Sequence, residues 1–270
     1  MPRLPSVYIG VPTGDNKEYS ILYMLATLRN IDYPHDRLSL TIAVTHLGNK
    51  TSEAYLKRVK QLVKASNFPY TINVVATYPV MTDMMRWGPY FAIIMNLHKL
   101  RVEFLKTDKQ YFWLLGGDNP PFLRETLKKL LQVKADVASA LVHQRFVRIE
   151  QLRLDKSKRY PVYWGRAWEL EDLDPLGLEP ALREELRTAW TEFMFLAKLK
   201  GEGITRNVVV GSGCSLLKRK VMEHLGYVLG SGGTQSEDLH FCQLAKLEGF
   251  EVSMDLDTRC MHFDQNGKMY

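Results

Sequence analysis

Tyr111-Phe112-Trp113-Leu114-Leu115-Gly116-Gly117-Asp118-Asn119-Pro120-Pro121 is an apolar run that meets two glycines and a carboxylate and is then stopped by Asn-Pro-Pro. Five consecutive apolar residues bounded by turn formers suit a strand buried on both faces. Upstream, residues 7–11, 38–44 and 70–76 carry runs of the same kind. Between them, Ile21, Leu22, Leu25 and Leu28 give helical spacing over 18–30, and Leu56, Val59, Leu62 and Val63 give it over 53–65. A long helix is predicted over 87–106. Downstream, a helix over 122–132 and a strand over 137–142 continue the series. Strands alternating with helices at this spacing predict an α/β fold with a mixed, mainly parallel sheet flanked by helices.

The pattern then changes. Residues 145–180 are charged and aromatic without a clean period and hold Trp164 and Trp168. Residues 182–199 read as an amphipathic helix with Leu182, Leu186, Trp190, Phe193 and Leu196 on one stripe. Residues 208–210 lead into Gly211-Ser212-Gly213, a short helix is predicted over 218–225, and Gly230-Ser231-Gly232-Gly233 reads as a loop. A helix over 237–248 and a strand over 251–256 close the pattern, with His262 beyond. No repeat or linker divides the chain, so residues 1–270 are expected to form one domain.

The chain is 46% hydrophobic and 24% charged over 270 residues, enough for a sizeable core without staples. Three cysteines without CxxC spacing predict a reduced, cytoplasmic chain. No run approaches the roughly 18 apolar residues of a membrane span, and Met1-Pro2-Arg3-Leu4-Pro5 lacks a signal peptide's apolar core. The net charge of +6 suits anionic partners, but it is spread along the chain without a basic block and equally describes an ordinary solvated surface. Nucleic acid is not expected as a partner.

Ligands of open α/β sheets bind outside the carboxyl ends of the strands, where Asp118 lies. A carboxylate there can hold a hard divalent cation that clamps phosphate oxygens. A turn Asp before Asn-Pro-Pro is the plainer account, and Gly116 and Gly117, which clear side chains from the backbone, favour a ligand. His262 follows a strand, and its imidazole suits Mn2+; a structural histidine is the alternative. Glu237 and Asp238 open a helix, which the helix dipole alone would favour. A carboxylate there can also act as a general base toward a hydroxyl, with the glycine loop before it closing over the acceptor. Arg86, before the long helix, is either a diphosphate contact or a solvated side chain.

A strand-end Asp, a Gly-x-Gly turn, Glu-Asp at a helix start and a late His, in that order, resemble the GT-A fold glycosyltransferases, particularly family-2-like members. Residues 28–37, Leu-Arg-Asn-Ile-Asp-Tyr-Pro-His-Asp-Arg, resemble the segment those enzymes place between first helix and second strand. The likeness spans residues 6–263 and is weakest over 145–205. It implies a nucleoside-diphosphate sugar as donor, a divalent metal (Mn2+ or Mg2+), and sugar transfer to an acceptor hydroxyl, inverting if Asp238 is the base. Asp118 and His262 would be the metal ligands and Glu237 would support the acceptor. Pro12, Thr13, Arg86, Gly116, Gly117, Asp118, Gly211, Ser212 and Gly213 would line the donor site, and Trp164, Gly232 and Gly233 the acceptor site. Residues 1–120 would form the nucleotide half and 121–270 the acceptor half, with a variable insert over 145–205. Gly116 stands where the first Asp of Asp-x-Asp would be, and Thr45-His46 where many relatives are acidic.

The acceptor is a glycan, a lipid-linked molecule or a protein. The stripe over 182–199 is core or an interfacial helix giving peripheral membrane contact. A nucleotidyltransferase and a non-catalytic sugar-nucleotide or glycan binder are the rival functions. Val11-Pro12-Thr13-Gly14-Asp15 is a poor phosphate loop for the former, and Gly116 keeps the latter open.

Overall fold

The computed structural model describes residues 3–80, 83, 89–121, 123–142, 144–146, 162–164, 203–206, 210–211, 213–228, 237–260 and 262–263, with 89–90, 144–146, 162–164, 205, 239 and 259 described for backbone only. In chain order these form β1 (Val7–Thr13), α1 (Glu18–Arg29), β2 (Leu38–Thr45), α2 (Lys50–Ala65), β3 (Thr71–Thr77), α3 (Pro89–Leu105), β4 (Tyr111–Leu115), α4 (Thr126–Val133), β5 (Val137–Val142), β6 (Gln144–Phe146), β7 (Val162–Trp164), β8 (Ile204–Arg206), β9 (Cys214–Lys218), α5 (Arg219–His224), α6 (Glu237–Leu247) and β10 (Val252–Cys260). Among the described residues eight strands make one sheet, ordered β3-β2-β1-β4-β9-β5-β10-β8, and β6 pairs separately with β7. β9 and β8 run antiparallel to their neighbours, and the other pairs in the sheet are parallel. The sheet is mixed and mainly parallel, as the alternation implied.

Strand period sends successive side chains to opposite faces. Val7, Ile9, Val11, Trp113 and Leu115 join one core with α1, α2 and α4, through Ile21, Met24, Leu28, Tyr55, Val59 and Leu130. Tyr8, Phe112 and Leu114 join the other with α3, α5 and α6, through Leu97, Leu100, Phe104, Met222 and Phe241. Covered on both faces, the central strands are near-continuously apolar, which is why residues 111–115 show no alternation. Tyr8, Phe104 and Phe112 pack ring on ring, with centroids 5.4–5.7 Å apart. Such contacts are worth about 0.5–1.5 kcal/mol each beyond burial.

The short strands β6, β7 and β8 have no counterpart in the sequence reading, and the structure departs from it in three further places. Cys214–Lys218, passed over between a turn and a short helix, is a strand inserted between β4 and β5. Its buried Ser215 disguises it; that hydroxyl donates to the Gly211 carbonyl at 3.0 Å and reaches Ser139 Oγ at 3.3 Å. The helix expected from 122 starts at Thr126, because Thr126 Oγ1 donates to the Leu123 carbonyl (2.7 Å) and accepts from its amide (3.3 Å), closing a turn. The last strand runs on to Cys260 through an irregularity between Asp255 and Arg259. There Asp255 accepts from the Asp257 amide (3.0 Å) and the Thr258 hydroxyl (2.5 Å).

Candidate active site at the reversal of strand order

From β1 the chain moves outward to β2 and β3, then returns to lay β4 on the other side of β1. Strand order therefore reverses between β1 and β4, which opens a crevice at their carboxyl ends. Pro12 and Thr13 end one strand, and residues 116–119 follow the other. A side chain at Gly117 would put its Cβ 2.6 Å from the Pro12 carbonyl oxygen, closer than backbone allows. Glycine there lets the two strand ends touch. Ser20 Oγ, from α1, donates to the Gly117 carbonyl at 2.7 Å. The Gly116 amide donates to the Gly213 carbonyl and the Asn119 amide to the Gly116 carbonyl, both at 2.8 Å. The turn that carries Asp118 is thus held from β1, α1 and the approach to β9.

Asp118 and His262, far apart in sequence, meet here. The Phe263 amide donates to the Asp118 carbonyl at 3.0 Å, and Pro121 bridges to Cys260. His262 Nε2 lies 3.5 Å from Asp118 Oδ2, and Lys17 Nζ forms an ion pair with the same oxygen. Burial pushes the Asp118 carboxyl up, but the His262 contact and the Lys17 cation together outweigh it and hold the group below the usual carboxylate range. His262 Nδ1 is buried without a hydrogen-bond partner among the described residues. An imidazole nitrogen and a carboxylate oxygen at this separation fit two neighbouring positions around Mn2+ or Mg2+. Among the described residues no third His, Cys, Asp or Glu joins them, so the remaining positions would fall to phosphate oxygens and water.

Glu237 and Asp238 begin α6. A Cβ at Gly211 would lie 3.3 Å from Asp238 Oδ2, so this carboxylate rests against the bare backbone of Gly211. Gly213, two residues on, bonds the Asp118 turn, so the segment 211–213 links both acidic positions. Gly211, Ser215, Tyr227 and Asp238 line a small recess. Glu237 is buried, and its Oε2 has no hydrogen-bond partner among the described residues. Burial, reinforced by the Asp238 charge, pushes its carboxyl up to about 7.

The ends of β1, β2 and β3 are tied together by Asn96 of α3. Its Nδ2 donates to Thr45 Oγ1 (2.8 Å) and the Thr13 carbonyl (3.3 Å), and its Oδ1 accepts from Thr77. Thr13 Oγ1 is 2.8 Å from the Tyr55 hydroxyl, which burial pushes up to about 12. His46 and Tyr78 follow β2 and β3 with ring centroids 5.1 Å apart.

No protein-family model matches the chain. A mannosyltransferase from Pyrobaculum calidifontis, solved with GDP-Man and Mn2+, superposes over 96% of this chain and 57% of its own, with TM-score 0.53 and 14% identity. TarS residues 1–349 from S. aureus, in complex with UDP-GlcNAc, superpose over 94% of this chain with TM-score 0.51 and 13% identity. The chain has the GT-A fold. A "Glycosyltransferase 25 family member" from Anopheles gambiae is 35% identical over 71 residues, 25% of this chain and 12% of that protein. The chain thus spans under two thirds of these relatives' lengths.

On this GT-A framework the structure brings together Pro12, Thr13, Gly116, Gly117, Asp118, Gly213 and His262, and separately Gly211 with Asp238 beside Glu237. Arg86, Ser212, Gly232, Gly233, Trp168 and the stripe over 182–199 lie outside the described residues, and Trp164 is described for backbone only. Among the described residues no helix is long and apolar enough to cross a membrane. The three cysteines are buried and unbridged. Sequence reading missed Lys17, Ser20, Tyr55, Asn96 and Asn119. The one available signal was Asp15-Asn16-Lys17 following the first strand, which lacks the glycine pattern of a phosphate loop.

Proposed function

We propose that the chain is a glycosyltransferase that takes its sugar from a nucleoside-diphosphate donor bound at the β1/β4 crevice. The observation that carries this reading is the meeting of Asp118 with His262 there, beside Gly117, Thr13 and the Lys17 ammonium. A divalent ion held by Asp118 and His262 would offset the charge that develops on the departing diphosphate. Thr13 and Pro12 border the donor, and His46 and Tyr78, at the next two strand ends, offer aromatic surface to its base. GDP-Man and UDP-GlcNAc, bound by the structural neighbours, indicate the donor class.

Asp238 is the proposed base. It takes the proton of the acceptor hydroxyl as that oxygen attacks the anomeric carbon and the sugar–diphosphate bond breaks, which inverts the centre. It rests against the bare backbone of Gly211, beside the proposed donor site. Glu237, protonated in part near neutrality, can donate a hydrogen bond to the acceptor. In this reading residues 1–120 bind the nucleotide and 121–270 bind the acceptor, which is a glycan, a lipid-linked molecule or a protein. Trp164 and the 232–233 glycines are assigned to the acceptor side.

A thermal-shift screen of nucleoside diphosphates with and without Mn2+ tests the donor site, since a ligand that binds only the folded chain raises its melting temperature. No shift with any of them would sink the reading. Metal-dependent hydrolysis of a nucleotide sugar would separate an enzyme from a binder.

A further inference from the structure

We propose that Lys17 is a built-in counter-cation of the diphosphate site: it holds Asp118 in the nucleotide-free chain, a divalent ion displaces it only together with the nucleotide, and the freed ammonium then turns to the phosphates. The inference rests on the donor reading above and concerns a residue to which that reading assigns no task.

The charge count at the site carries it. Among the described residues the locus holds the Asp118 carboxylate, the His262 imidazole and the Lys17 ammonium, and no third His, Cys, Asp or Glu joins them as a metal-holding group. Carboxylate and ammonium cancel, so with a neutral imidazole the protein offers a dication no net negative charge. A hard cation bound by few ligands draws on carboxylates and substrate phosphates together. Here the phosphates must bring the missing charge. Lys17 sits on the same oxygen, Oδ2, that faces His262, so ammonium and metal compete for one atom. The lysine side chain is about one third exposed, against 10% for Asp118, so the ammonium can move while the carboxylate stays. It closes the 3-10 turn Asp15–Lys17 at the mouth of the crevice, where its flexible stem can follow a phosphate.

The test is titration of the full chain with Mn2+ alone, followed by the electron paramagnetic resonance of free Mn2+. Lys17→Met should bind Mn2+ at least about tenfold more tightly than the parent, because a like charge at contact distance is gone. Lys17→Arg should restore the parent's value. In EDTA, UDP and GDP should bind Lys17→Met at least about tenfold more weakly, because the Asp118 carboxylate then meets the phosphates without its counter-cation. Equal Mn2+ affinity in parent and Lys17→Met would overturn the proposal, as would unchanged metal-free nucleotide binding. Should Lys17→Met not fold, the parent decides: its Mn2+ affinity must rise at least tenfold when UDP or GDP is added, and no rise refutes the coupling. Failure of every nucleoside diphosphate to bind would remove the donor reading, while the metal-alone comparison still reports whether Lys17 guards the carboxylate.

Discussion

Asp118→Ala should abolish the Mn2+-dependent part of any stabilisation by a nucleoside diphosphate and leave a folded chain, because Lys17 can turn to solvent. Equal shifts in mutant and parent would contradict it. His262→Ala should weaken metal binding less, since it removes a neutral ligand. Asp238→Asn keeps shape but cannot accept a proton, so transfer should fall about 10²–10⁴-fold with donor affinity little changed. Near-normal transfer would take Asp238 out of the mechanism. Glu237 makes a separate case, through pH. Its folded carboxyl titrates near 7 against an ordinary value of 4.5, so its contribution to stability is full below 4.5 and is lost as pH rises through 7. Glu237→Gln should therefore melt higher than the parent at pH 8, by on the order of 1–3 kcal/mol, and gain nothing near pH 4.5. A gain at both pH values would assign it to packing. The acidic positions and His262 could be picked out in the sequence because each follows or opens a recognisable element. Lys17 could not, since its contact exists only because the start of α1 lies beside a turn 101 residues later in the sequence.

At the scale of elements, Phe112 is fully buried, stacked on Tyr8 and tilted against Phe104. Phe112→Ala should cost about 3–5 kcal/mol, read from denaturant unfolding. Gly117→Ala, forced against the Pro12 carbonyl, should part β1 from the Asp118 turn and cost both about 1–3 kcal/mol and the nucleotide-dependent shift. A variant with normal nucleotide binding would show that the strand ends need not touch. The parallel strands were legible from their apolar runs and the helices from their spacing. β9 was not, because five residues with two polar members fit neither period, and only pairing on both sides makes them a strand. Its amides, between two ladders, should exchange with deuterium among the slowest in the chain; fast exchange over 214–218 would return the segment to a turn.

For the whole molecule, α/β class and a mainly parallel sheet followed from alternation, while the order of strands did not, because it depends on pairings between distant stretches, such as Tyr111 with Lys218 and Val137 with Val252, as well as nearer ones such as Val7 with Leu38. The long-range insertion of β9 has a bearing on how the chain is made. Residues 1–120 include β1 to β4, yet β4 finds its outer partner only in residues 214–218, and β5 waits for the same segment. Until the ribosome has released that stretch, both strands keep an open hydrogen-bonding edge, which invites pairing between nascent chains. The proposed donor and acceptor halves are therefore not independent folding units. A fragment ending at residue 120 should form insoluble aggregate on expression, and co-expression of 121–270 should rescue it only if the second piece can deliver β9 into the gap.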